Sequence, residues 1–259
     1  MSRRRRLVPL AVVVLSAFMP AIAEAAPAAR LTAAFAPGAR LGAGAALRIG
    51  LRIDPRHAPS AVTAIHLKYP ASLGIATSGL GVASCRRAAL AARGPAGCPS
   101  GSIMGYGTAR VEARPYGIFE NARITLFAGA QRDGRLGLLV YADGEQPASV
   151  QLIDPAELLP AAGPYGGDLS VALLPIPGLE DITIALLRLS ISLGARDIVY
   201  YDDSGPKRIA YHPEGVVLPD RCPRGGFRFR ALLDFEDGTH ATATATLACP
   251  PQPSSGRVY

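Results

Sequence analysis

From Phe227 to Leu247 the side chains change character at every step. Phe227, Phe229, Ala231, Leu233 and Phe235 alternate with Arg228, Arg230, Leu232 and Asp234, and Ala241, Ala243, Ala245 and Leu247 alternate with Thr242, Thr244 and Thr246. Asp237-Gly238 stands between the two runs. A period of two sends one set of side chains to each face of a strand, and an Asp-Gly between two such runs is a strong hairpin signal. A chain written this way must bury one strand face and show the other to water.

The pattern recurs along the chain. Leu47, Ile49, Leu51 and Ile53 alternate with Arg48, Gly50, Arg52 and Asp54, and Ile65, Leu67 and Tyr69 oppose His66 and Lys68 until Pro70 stops the run. Ala122 to Ala128, then Leu136 to Ala142 after Arg132-Asp133-Gly134, then Val150 to Ile153 after Asp143-Gly144, read as a three-strand meander. Leu31–Phe35 reads as an edge strand and Leu169–Leu173 as a short one. Residues 154–167 read as a loop, with one helical turn at Ala156–Leu159. In Asp181–Ser192 the alternation slips phase at Leu186-Leu187, which predicts a β-bulge or burial on both faces. Tyr200 to Pro206 reads as a polar turn between short strands. Many short strands with regular turn signals, and no alternation with long helices, predict an all-β fold. The expected form is an antiparallel β-sandwich, immunoglobulin-like or jelly-roll-like, in one domain over residues 26–250. With Trp absent and aromatics at 6%, its core must be built from Val, Ile, Leu and Ala.

The run from Ile103 to Ala113 is peculiar. Ile103, Gly105, Gly107, Ala109, Val111 and Ala113 share a face opposite Met104, Tyr106, Thr108, Arg110 and Glu112. Two glycines on one strand face point to close approach of another backbone or a bulky side chain, or to a ligand; packing is the commoner cause.

The first residues set the compartment. Arg3 to Arg6, the apolar run Leu7 to Ala23 and an Ala-x-Ala site ending at Ala25 form the pattern of a secretory signal peptide, residues 1–25. Its removal would lower the formal net charge from +7 to +4. That modest balance, with no basic run outside the leader, speaks for solubility and against a nucleic-acid partner. No later segment is long and apolar enough to be a membrane-spanning helix. Residues 251–259, rich in Pro and Ser, read as a disordered tail.

Export makes disulfides reasonable for the four cysteines, Cys85, Cys98, Cys222 and Cys249. Three pairings are possible and sequence alone does not choose. The local one, Cys85 with Cys98 and Cys222 with Cys249, is preferred because each pair brackets one compact unit. The first would pin a short helix over Arg86–Arg93, with Ser84 as N-cap and Gly94-Pro95 as the stop; the second would staple the mouth of the 227–247 hairpin. No Cys-x-x-Cys spacing and no neighbouring His supports a metal site.

Catalytic signatures are missing. There is no Gly-x-Ser-x-Gly elbow, no His-Glu-x-x-His and no phosphate-cradling glycine loop. His57, His66, His212 and His240 are scattered over loops and strand faces and converge on nothing visible. The pairs Glu180-Asp181, Asp202-Asp203 and Glu236-Asp237 are adjacent in sequence, which sends them to opposite faces of a strand rather than to glycosidase spacing. A calcium site at Asp202-Asp203-Ser204-Gly205 lacks the full loop pattern. No catalytic residue, metal or cofactor is assigned.

Cys98-Pro-Ser-Gly-Ser-Ile-Met-Gly-Tyr-Gly-Thr-Ala after Cys85 and its Ala-Leu segment, with Cys222-Pro-Arg-Gly-Gly-Phe-Arg-Phe, Phe235-Glu-Asp-Gly-Thr and Cys249-Pro, resembles a group of secreted, two-disulfide, β-rich proteins of high-GC actinobacteria. The resemblance implies an exported β fold with two bridges and carries no activity or site residues. The expected function is a non-enzymatic extracellular or cell-envelope structural or binding module, whose partner would be an envelope polymer or another exported protein. The alternative is a carbohydrate-binding module or glycoside hydrolase. A lipid binder using the small-residue face of Ile103 to Ala113 ranks below both.

Overall fold

The computed structural model describes residues 28–56, 60–75, 83–131, 135–145, 147, 149–176, 178–179, 181–194, 200–202, 209–211 and 215–250. The proposed leader and tail, His57, His212, Glu180, Asp203 and the Arg132-Asp133-Gly134 turn lie outside them. The strands are β1 (Ala29–Phe35), β2 (Gly44–Ala45), β3 (Leu47–Ile53), β4 (Val62–Pro70), β5 (Gly74–Ile75), β6 (Ile103–Arg114), β7 (Ile118–Ala128) and β8 (Gly137–Gly144). They continue with β9 (Val150–Pro160), β10 (Tyr165–Ala172), β11 (Thr183–Leu193), β12 (Tyr200–Asp202), β13 (Ile209–Tyr211), β14 (Val216–Val217), β15 (Phe227–Phe235) and β16 (His240–Leu247). Among the described residues an α-helix, α1 (Arg87–Arg93), precedes β6.

Eleven strands form a single antiparallel sheet in the order β1-β3-β11-β6-β7-β8-β9-β10-β4-β15-β16. Its two ends come together, with β1 alongside β16 and Phe35 meeting Phe227 edge to face at 5.2 Å between ring centroids. The expected two-layer sandwich is thus corrected to one nearly closed, barrel-like sheet. The alternating runs obey it: β3 and β15 bury every second residue, Leu47 to Ile53 and Phe227 to Phe235, on the inside. Outside stand Arg30, Arg48, Arg52, Arg110, Arg188, Arg228, Arg230 and the threonines of β16. A charged outer wall is the reverse of a lipid-facing barrel. Among the described residues no helix is long and apolar enough to cross a membrane.

Two bulges rotate side chains that strict alternation would misplace. In β11 the register shifts between Leu186 and Arg188, so Ile184, Leu186, Leu189 and Ile191 all line the interior. In β6 it shifts between Ile103 and Gly105. Met104 therefore joins the inner core and Ile103 the outer cluster, correcting the faces read from the sequence. The segment read as a loop after Asp154 is mostly strand, β9 and β10, with no helical turn at Ala156–Leu159. Pro155 is tolerated because it lies one residue beyond the last β9–β10 rung, Ala156 with Val171. Asp143-Gly144 closes β8 rather than turning the chain.

Both bridges are local: Cys85–Cys98 with Cα atoms 5.0 Å apart and Cys222–Cys249 at 5.9 Å. The first closes a loop that covers an apolar patch on the outer wall. Leu90 of α1, fully buried, packs on Phe127, Leu139 and Tyr141, the outward side chains of β7 and β8. The Cys85 N–H ties this loop to the Ala128 carbonyl at 2.7 Å. The helix is capped at Arg86, whose backbone is extended, rather than at Ser84.

Candidate functional site

The small sheet β2-β14-β5 covers one end of the barrel, where Ala45, Leu73, Val216 and Leu218 are buried. At the other end the connection from β10 to β11 is described at residues 173–176, 178–179 and 181–182. These two strands stand five places apart in the sheet, so the connection crosses the barrel mouth. Between the two ends lies a cavity of about 350 Å³. Ten of the eleven sheet strands contribute to its wall, among them Ile49 and Leu51 of β3, Ile65 and Leu67 of β4, Leu138 and Val140 of β8, and Leu186 and Leu189 of β11. Leu174, Pro175, Ile176, Leu179 and Ile182 of the crossing segment close in from above.

The space has a physical cause. Side chains alone fill a barrel of about eight strands, and wider barrels enclose ligand cavities. Here the wall is also thinned by small inward residues: Ala109, Ala113, Ala122, Ala142, Gly144, Ala156 and Ala231. The glycines of β6 make no hole of their own. A Cβ at Gly105 would strike the Ser192 carbonyl and one at Gly107 the Ser190 carbonyl, both on neighbouring β11. Close backbone approach, one of the causes the sequence suggested, accounts for them.

One polar group stands deep in this apolar wall. Asp154 faces inward on β9 opposite Val140, with 4% of its surface exposed. Its Oδ1 accepts the Leu174 N–H at 2.9 Å, just after the chain has left the β10 ladder. Burial disfavours its charge and pushes its pKa up to about 6, against the opposing pull of the Leu174 N–H and the Arg87 charge. Glu120 and Glu236 line the same cavity nearer the mouth. Around the opening Tyr116, Ile118, Phe119 and Leu174 are exposed, and Arg110 stacks on the Phe119 ring at 4.8 Å.

Among the described ionisable groups weighed from the sequence, Glu236 alone lines this cavity, at its mouth; the others stand elsewhere. His66 is on the outer wall between Asp168 (3.6 Å) and Asp234 (3.4 Å), and His240 meets Asp234 at 2.8 Å. Asp168 Oδ1 is buried there without a hydrogen-bond partner, and Tyr69 is raised by burial and by the Asp168 charge. Glu236 and Asp237 occupy the exposed β15–β16 turn, where Asp237 accepts both the N–H and the hydroxyl of Thr239 and is held below the usual carboxylate range. Among the described residues no group of three or more His, Cys, Asp or Glu is placed to hold a metal ion. The small-residue face of Ile103 to Ala113, weighed from the sequence for a lipid, supplies Ala109, Val111 and Ala113 to the cavity wall; Asp154 went unrecognised. The available signal was a carboxylate in phase with the apolar set Val150, Leu152 and Ala156, hidden by a Pro that made the stretch read as a loop.

No protein-family model matches the chain, and comparison with curated proteins and with solved structures finds no match.

Proposed function

We propose that this protein is an exported binding protein that carries an apolar ligand inside its barrel, with no chemical step. The observation that carries the reading is the cavity of about 350 Å³, walled mainly by aliphatic side chains within a barrel whose Arg48, Arg52, Arg188 and Arg230 stand outside. That volume falls in the range of small-molecule sites, which favour the mouths of β-barrels. A sugar would suit the space poorly, since its hydroxyls would lose water and find few partners in this wall. Two disulfides are consistent with an oxidising, extracytoplasmic setting.

Uptake of the neutral dye Nile red tests the proposal. The oxidised protein should bind it with a rise in fluorescence, and Ala142→Trp, which fills the cavity from β8, should abolish the signal while circular dichroism stays unchanged. Dye binding that survives in the folded Ala142→Trp variant would refute the interior as the site.

A further inference from the structure

The charge on the cavity wall limits the kind of ligand it can take. Of the described residues that line the cavity, none is Lys, Arg or His, and all the ionisable carboxyl groups, Asp154, Glu120 and Glu236, bear one sign. Asp154 is the innermost, two inward-facing positions below Gly144 along β8. Beyond it the wall runs apolar to the covered end, through Leu138, Ala156 and Leu169. An amphiphile would therefore lay its tail toward the covered end and leave its head between Asp154 and the mouth. There an anionic head would meet a like charge with little water to screen it, while a hydroxyl or ammonium would find an acceptor.

We propose that the cavity selects single-chain amphiphiles with an uncharged or cationic head group and turns away those headed by a carboxylate or phosphate. This rests on the reading of the cavity as a ligand site and adds the ligand's chemistry to it.

Competition against Nile red at about pH 8, where carboxylates are ionised, with dodecanol, dodecylamine and dodecanoate of equal chain length is the test. Dodecanol and dodecylamine should displace the dye at concentrations at least about tenfold below dodecanoate, a difference of about 1.4 kcal/mol. Asp154→Asn should narrow the gap by strengthening dodecanoate and leave dodecanol as it was. Should that variant fail to fold, Glu236→Gln at the mouth is expected to shift dodecanoate in the same direction, and the wild-type ranking stands as a test in itself. Dodecanoate binding as tightly as dodecanol overturns the charge selection and leaves the apolar cavity standing. Failure of the dye and of all three amphiphiles to bind overturns both.

Discussion

Replacing Asp154 by Asn leaves an oxygen for the Leu174 N–H and deletes the charge. The folded protein holds the Asp154 proton at a pKa of about 6, against 3.8 for an unperturbed aspartate. The folded state thus binds that proton more tightly than the unfolded chain does. The sign follows: the contribution to stability is full below about pH 4, falls as pH rises through about 6, and levels off above. The displacement corresponds to a loss of about 3 kcal/mol at neutral pH relative to acid. Asn has no such slope. Equilibrium urea denaturation of the oxidised wild type and Asp154→Asn, at steps between about pH 4 and pH 8, isolates this group because every other titration is shared. The variant should gain about 2.4 kcal/mol on the wild type across that range, with most of the gain between about pH 4 and pH 6. A stability difference that stays flat with pH would refute the claim that Asp154 is buried and desolvated in an apolar wall.

Two further outcomes follow from the packing. Cys222→Ser with Cys249→Ser opens a loop with a sequence separation of 27 and should cost about 3.5 kcal/mol on the chain-entropy account, read as a lower urea midpoint with the β circular dichroism retained below it. Gly107→Ala pushes a methyl group against the Ser190 carbonyl and should destabilise by about 1 to 3 kcal/mol; an unchanged melting temperature would contradict the close approach of β6 and β11.

The strand faces were largely legible because a period of two is a local property. Leu47 to Ile53 and Phe227 to Phe235 are inward as their alternation demands, and the slip at Leu186-Leu187 became the β11 bulge. The second bulge was not legible, because Ile103 and Met104 are both apolar and either can be buried. Asp154 was lost for a related reason: Pro155 and Pro160 carry strong loop signals, and only the end of the β10 ladder beside Pro155 makes its place in a strand acceptable.

By itself the sequence determined the all-β class, the inward and outward sets of most strands, and cysteine spacings that suit two local bridges. These follow from neighbours in the chain, where pleat geometry and short loop closure act. Only the tertiary structure decided that β11 pairs between β3 and β6, that β1 returns to β16, and that the interior holds an apolar space. A sandwich and a barrel share the same alternation. What separates them is accumulated twist and pairing between distant strands, and whether the side chains on an eleven-strand wall are large enough to meet in the middle.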